Sequence, residues 1–316
     1  MGRGRTPGTL PRARAGLPPG AQGRPRRRGR SWTDAAVTSP VAAVVIHHRH
    51  FPKVLDTVRG VVEAGVPAEA VVVVDNSEDD GIADGLRAAA HGWTVLTVPN
   101  HGYGAAANIG VAAVADSEVV LVLTHEVVID APSLAAVISR VREDPRVAAS
   151  GPALMLTDGD QVWSRGGSLS PRLLIPRGIQ TASVADAADT DVHWLDGACV
   201  AYRTSVLLAT PFREDFFLYF EETDLHARLR ADGWRVVTAT GSTAHQGTQG
   251  MPSYLGCRNF VMFVWAHGGR LARIVAPLHF TLRSVAIAVQ ERRWTGVQQS
   301  VAGLLAGYQS LARGRS

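Results

Sequence analysis

The sequence predicts an α/β fold with a mixed, mostly parallel sheet flanked by helices, and three observations carry that expectation. Four apolar runs in the first half, VAAVVI (41–46), AVVVVD (70–75), WTVLTV (93–98) and VVLVLT (119–124), are too continuous to alternate between core and solvent. Such runs read as strands buried on both faces. The segments between them, 52–65, 79–91 and 104–116, have helical length, and strand-helix alternation is what right-handed parallel crossovers require. Composition is the third: 46% of residues are apolar and 19% charged, enough to bury a core and unlike a disordered chain.

Length alone would allow two domains, but the uneven composition points to one core at 39–268 between two extensions. Residues 1–38 are rich in Gly, Pro and Arg without periodicity and are expected to be disordered and solvated. Nine arginines and no acid fall in residues 1–33; taking those nine charges from the overall +4 leaves −5 on the other 283 residues. The basic balance therefore belongs to the head, and nucleic acid is not an expected partner of the folded part. The head lacks an apolar h-region, so neither a secretory signal nor an anchor is expected there. Cys199 and Cys257 lie far apart with no Cys-x-x-Cys spacing, which excludes a disulfide framework or thiolate metal site and fits a reducing, cytoplasmic setting.

The tail, 269–316, opens on LARIVAPLHFTLRSVAIAVQERRW from Leu271. Interruptions at Arg273, Pro277, His279 and Arg283 leave it short of the about 20 apolar residues of a membrane span. It is expected to form an amphipathic, interfacial helix pair whose arginines (270, 273, 283, 292 and 293) meet anionic lipid headgroups. The alternative is packing on the core or on a second copy of the chain.

Ligands of open parallel sheets bind at the carboxyl ends of strands, which directs attention to His47, His48, Asp75 and Glu126. In VVVVDNSEDD, Asp75 emerges at a strand end with Asn76, Ser77 and Asp79, acceptors suited to nucleobase N–H groups and ribose hydroxyls; helix capping by Asn76 or Ser77 is the alternative. In PNHGYGAAANIGV, Gly102, Gly104 and three alanines thin the surface before Asn108, and the helix start would favour a diphosphate, although close packing selects the same small residues. LVLTHEVVID presents Thr124 and then Glu126, a carboxylate placed to hold Mg²⁺ or Mn²⁺ or to end a solvated turn. FREDFFLYFEETDLHARLRADGW has four aromatics, Phe216, Phe217, Tyr219 and Phe220, whose burial would fix Glu221, Glu222 and Asp224 at a helix start. Leu225 and Leu229 mark its buried face, and helix-dipole complementarity is the competing explanation for the acids. Beyond Pro145, the Gly-rich WSRGGSLS and the segment WLDGACVAYR suggest an acceptor-facing half, and RVVTATGSTAHQG ends by presenting His245.

Taken in this order, these elements resemble the family 2 glycosyltransferases of GT-A fold, especially the bacterial rhamnosyltransferase-like branch that builds cell-surface polysaccharides. The resemblance runs from about Val41 to Gly268 and includes RNF at 258–260. It implies that Asp75 binds the nucleotide, that Glu126 ends a metal-binding Asp-x-Asp-type motif, and that His245 is a metal or diphosphate ligand. Glu222 falls at the catalytic-base position, with Glu221 and Asp224 beside it. Asn76, Asp79, Gly102, Asn108 and Thr124 would line the donor site, and Trp194, Asp196 and Gly197 the sugar and acceptor pocket. The implied partners are a nucleoside-diphosphate sugar, a lipid-linked or glycan acceptor, an anionic membrane surface and a second copy of the chain, with Mg²⁺ or Mn²⁺ as cofactor and a peripheral place on the inner face of the cell membrane.

The chain departs from the family pattern in reading Thr124-His125-Glu126 for Asn-Pro-Asp, Glu221-Glu222 for Glu-Asp, and HHRH at 47–50. The first two keep the carboxylate and lengthen its arm by one methylene. A nicotinamide-dependent oxidoreductase is excluded because no G-x-G-x-x-G follows the first strand. The remaining rival is a non-catalytic nucleotide-sugar binder of the same fold.

Overall fold

The computed structural model describes residues 40–157, 161–179, 189–247 and 250–313. The basic head, read as disordered, and most of the polar stretch at 181–191 lie outside the described residues. β1 (Val41–His47) leads through α1 (Val54–Glu63) to β2 (Val71–Asp75), α2 (Asp80–Ala89), β3 (Thr94–Thr97), α3 (Tyr103–Ala113) and β4 (Val119–Thr124). The strands pair in parallel in the order β3-β2-β1-β4. β1, β2 and β4 are buried almost throughout, as their uninterrupted Val and Leu runs require, while β3 at the edge is half exposed.

Beyond β4 the sheet becomes mixed. β5 (Val127–Ile129), α4 (Ala131–Glu143), β6 (Val147–Leu156), β7 (Val162–Ser164), β8 (Gly167–Leu169), β9 (Pro176–Gly178) and β10 (Thr190–Asp191) precede β11 (Cys199–Arg203), α5 (Thr204–Ala209), α6 (Glu221–Ala231) and β12 (Arg235–Gln246). β11 lies antiparallel between β4 and β6, and β12 runs parallel to β6. The short apolar run at 147–149 thus seeds a ten-residue central strand, buried along nearly its whole length.

α7 (Ser253–His267), α8 (Ala272–Gln290) and α9 (Trp294–Arg313) pack on one another, and residues 36–316 form one compact unit. Gly303 lets the α9 backbone approach α7, since a Cβ there would stand 2.3 Å from the Tyr254 carbonyl oxygen. Pro277 lies inside α8 without ending it. By length and composition α8 could cross a membrane, with a mean hydropathy of 1.3 over its best window.

The loop before α6 positions the site. Phe217, Tyr219 and Phe220 all have φ near +70°, a conformation L-residues adopt only when surroundings enforce it. The enforcing contacts are specific. The Tyr103 amide donates to the Phe217 carbonyl at 2.7 Å, and the Asn259 side-chain amide donates to the carbonyls of Phe216, Leu218 and Tyr219 at 3.1, 2.7 and 2.8 Å. Arg258 donates to the Asp215 and Phe216 carbonyls. Phe216 and Phe220 are buried against Phe260 and Phe263, but Phe217 remains 41% exposed. Expected to bury like its neighbours, it instead contributes its backbone.

Gly102 has φ +94°, and a Cβ there would lie 2.0 Å from the Phe217 carbonyl oxygen. Gly102→Ala is expected to destabilise the protein by about 2 kcal/mol or more through this overlap and the positive φ. A thermal melt followed by circular dichroism measures it, and an unchanged midpoint would show that the contact does not hold the loop.

Candidate active site

Asp75 ends β2 beside His47, its register partner on β1. Both side chains are fully buried. The His47 Nδ1–H donates to Asp75 Oδ1 at 2.8 Å, while its Nε2 accepts from the His50 amide at 3.1 Å. Ser77 adds its hydroxyl at 2.5 Å and its amide at 3.2 Å to the same oxygen. Burial alone would raise the Asp75 carboxyl, but the bonds from His47 and Ser77 outweigh it and hold the group below the usual range. Asp75 Oδ2 is left buried with no partner. Asn76 links to Asn100 through its amide and to His48.

Glu126 sits in the turn between β4 and β5. Burial raises its carboxyl, opposed by the positive charge of Lys53 and His50. Gly247 opens a small space here, for a Cβ at that position would stand 3.4 Å from Glu126 Oε2 and 3.5 Å from Lys53 Nζ. His125 stacks on His50 with centroids 4.5 Å apart and meets His47 edge-on at 5.6 Å, so the Glu126 turn and the Asp75 strand end form one continuous edge. Burial and the nearby His50 and His47 push the His125 ring down to about 4. Lys53 was not singled out from sequence; its place on the segment after the first strand was the only available signal.

Glu221 and Glu222 open α6. Burial pushes Glu222 up to about 7, with the Asp196 charge adding to it, and raises Glu221 well above the carboxylate range, with Glu222 adding to it. Burial also raises Asp196. Gly197 lies against the Glu222 side chain, 3.6 Å separating its Cβ position from Glu222 Cβ, and the Tyr103 hydroxyl donates to the Gly197 carbonyl at 2.6 Å. His226, one turn further along α6, accepts from the Leu195 amide at Nδ1. The helix carrying the acids and the segment carrying Trp194, Asp196 and Gly197 are therefore bonded into one unit. Tyr219 connects this pocket to the Glu126 turn: burial raises its hydroxyl, and Glu221, Glu126 and Glu222 all add to the effect.

Several expected residues are placed otherwise. Asp79 caps α2, accepting from the Ile82 amide, so the cap is neither Asn76 nor Ser77. Asn108 grips the next loop, donating to the Phe212 carbonyl and Glu214 and accepting from the Phe212 amide. The α3 start, proposed for a diphosphate, already gives its first amides to Asn100 and the Phe217 carbonyl. Asp224 faces no cleft; fully buried, it pairs with Arg213 at 3.3 Å, Arg228 at 2.8 Å and His267 at 2.8 Å. His245 is exposed on β12 opposite Val128, with no ion pair to Glu126 among the described residues, and no group of three or more His, Cys, Asp or Glu suited to a metal occurs among them. Both cysteines are buried.

Buried polar atoms normally have partners. Among the described residues Asp75 Oδ2, Thr124 Oγ1, Trp194 Nε1, Asp196 Oδ2 and Glu221 Oε2 do not, all on residues selected from the sequence as donor, pocket or catalytic groups, and neither do atoms of Ser150, Arg203, Arg273 and Thr281 away from them.

A mixed, mostly parallel sheet with acids at its strand ends and an acidic helix start across from them defines the GT-A class of glycosyltransferase fold. The glycosyltransferase like family 2 model matches residues 39–294, and the chain belongs to that family. It is 26% identical over 246 residues to the N-acetylglucosaminyl-diphospho-decaprenol L-rhamnosyltransferase of Mycobacterium tuberculosis, covering 68% of this chain and 80% of that one. Among solved structures it is similar to GalNAc-T7 with UDP, GalNAc and Mn²⁺ (TM-score 0.58, 13% identity), covering 74% of this chain but only 48% of that one. It is also similar to the mannosyltransferase PcManGT from Pyrobaculum calidifontis with GDP-Man and Mn²⁺ (TM-score 0.52, 15% identity), covering 89% and 82%.

Asp224→Asn is expected to cost about 1–3 kcal/mol, less than a wholly buried pair because its partners keep some solvent contact. Burial would raise the Asp224 carboxyl, but His267, Arg228 and Arg213 hold it below its ordinary value. Its contribution is therefore present above the ordinary carboxylate pKa of about 3.9 and is lost as pH falls through the lower folded value. Denaturant unfolding of both proteins across that range should show the gap narrowing on acidification.

Proposed function

We propose that the chain is an inverting glycosyltransferase that moves a sugar from a nucleoside-diphosphate donor to a hydroxyl of a lipid-linked or cell-surface glycan acceptor, acting at the inner face of the cell membrane. One observation carries this reading: Glu222, a carboxylate whose proton affinity suits a base near neutral pH, opens α6 against Gly197, with buried oxygens on Asp196 and Glu221 left without partners among the described residues. The mycobacterial relative, named as an L-rhamnosyltransferase acting on N-acetylglucosaminyl-diphospho-decaprenol, supports a rhamnosyl-like donor and a lipid-linked sugar acceptor.

In this mechanism Asp75 Oδ2 accepts from the base or ribose of the donor while His47 and Ser77 keep the carboxylate ionised and fixed. Lys53 offers its ammonium to the diphosphate in the opening beside Gly247. Glu126 would be the residue to hold Mg²⁺ or Mn²⁺, hard cations that favour carboxylate oxygen, and such an ion would neutralise charge on the leaving diphosphate. Glu222 takes the proton of the acceptor hydroxyl as that oxygen forms its bond to the anomeric carbon, and the bond to the diphosphate oxygen breaks on the opposite face. Burial and the neighbouring Glu222 charge raise Glu221, so the pair disfavours carrying two negative charges at once.

Nucleotide release from a panel of nucleotide sugars with a lipid-linked acceptor extract tests the reading. Glu222→Gln is expected to lower kcat by about 10²–10⁴-fold with donor binding retained. Donor binding without turnover by the unaltered protein would establish the non-catalytic binder instead.

The pH profile gives an independent check. Since the base must be ionised, kcat/KM should be flat above about 7 and fall about tenfold per pH unit below it. A profile flat down to pH 5 would remove Glu222 as the base.

A further inference from the structure

α8 presents an apolar stripe that none of the described residues covers. Leu271, Ile274, Leu278, Leu282 and Val289 are all exposed, Leu271 and Leu282 by about 70%, and their spacing places them on one side of a helix. The opposite side is already used: Ala272, Ala276, Thr281 and Ala288 are buried, Ser284 bonds Ser300 of α9 at 2.8 Å, and Phe280 stacks on Phe260 of α7 at 4.4 Å. A helix fastened along one side and bare along the other has the character of an interfacial helix, despite a length sufficient to span.

Charge identifies what the bare side fits. Residues 269–313 contain six arginines and one acid, Glu291, whereas the chain beyond residue 33 is net negative. Arg270 and Arg283 are exposed on the flanks of the stripe. Arg283 and Arg293 also line an open cleft of about 310 Å³ with Met251, Phe280 and Ile287, which joins cationic groups to apolar walls. Arg293 is paired with Glu291, whereas Arg283 has no ion pair among the described residues. Trp294, 68% exposed at the start of α9, is the kind of side chain that settles at headgroup level.

We propose that the exposed side of α8, with Trp294 and the Arg283 cleft, is a docking surface for an anionic phospholipid bilayer, the leucines entering the headgroup and acyl boundary while the arginines meet lipid phosphates. Phe280 touches Phe260 and lies 6.4 Å from Phe220, the residue before Glu221, so the surface is fixed rigidly to the loop that carries the two acids. A lipid-linked acceptor would then meet the base from the bilayer side, a consequence that rests on the transferase reading; the docking itself does not.

Co-sedimentation of the full chain with phosphatidylcholine vesicles, and with vesicles also containing phosphatidylglycerol, tests docking without any transfer reaction. Binding to the anionic vesicles is expected to exceed binding to the neutral ones and to weaken with salt. Leu278→Glu and Leu282→Glu should each reduce it about tenfold, and Arg283→Glu about fivefold with a shallower salt dependence. Unaltered circular dichroism and nucleotide binding would show that these variants fold. Equal and negligible binding to both vesicles, or binding that the substitutions leave unchanged, overturns the proposal. So does a dimer in solution that Leu278→Glu converts to monomer without any vesicle binding, which would assign the surface to a second copy of the chain.

Discussion

The Asn259 amide, bonded to three carbonyls of the 216–219 backbone, is the contact on which the site depends. Three non-glycine residues at positive φ represent about 1–3 kcal/mol of strain each, and a loop free in solution would relax to other conformations. Charge-assisted and buried hydrogen bonds of about 1–3 kcal/mol each from Asn259 and Arg258, with the Tyr103 amide, offset that strain. The outcome is that Phe220 ends in a left-handed conformation as the N-cap of α6, and Glu221 and Glu222 leave it in a fixed direction. The donors come from α3 and α7, so a helix beyond the sheet is as necessary to the acids as the sheet itself.

The two glutamates then show which electrostatic effect prevails. A helix N-terminus favours a carboxylate by about 0.3–1 kcal/mol, which would lower the Glu222 pKa by less than one unit. Its rise from 4.5 to about 7 corresponds to about 3 kcal/mol in the other direction. Burial together with Asp196 therefore exceeds the dipole severalfold. The helix-dipole explanation for these acids, plausible from sequence, accounts for neither the sign nor the size of the effect. Asp224, two residues on, behaves oppositely because it meets two guanidinium groups and an imidazole.

Much of this was legible in the sequence because it is local. Four valine-rich runs could only be buried strands, which puts Asp75 at a strand end and Glu126 just past one, while the aromatic run before the acids puts Glu221 and Glu222 at a helix start. What stayed hidden depends on partners distant in sequence. His267 lies 43 residues from Asp224 and turns a supposed cleft acid into the centre of an ion cluster. Glu214 and Phe212 lie more than 100 residues from Asn108 and occupy its amide. Gly102 carried a visible signal for close approach, but whether phosphate or backbone approached could not be read without Phe217. The same limit explains Phe217, whose ring is dispensable to the core because its carbonyl is the part in use.

The RNF segment at 258–260 ties these threads into one mechanical unit. Arg258 and Asn259 point toward the acid-bearing loop, whereas Phe260 packs between Phe220 and Phe280. One turn of α7 therefore supports the site on one side and α8 on the other. These close-packed rings, tilted by 45° and 30° to one another, resist displacement because a shift would open a gap in the core. The separation between the exposed side of α8 and Glu222 is consequently set by packing rather than by a hinge. On the proposed reading, the acceptor hydroxyl must reach the base at that fixed separation from the bilayer, which selects acceptors by the length of their polar head as well as by its sugar chemistry.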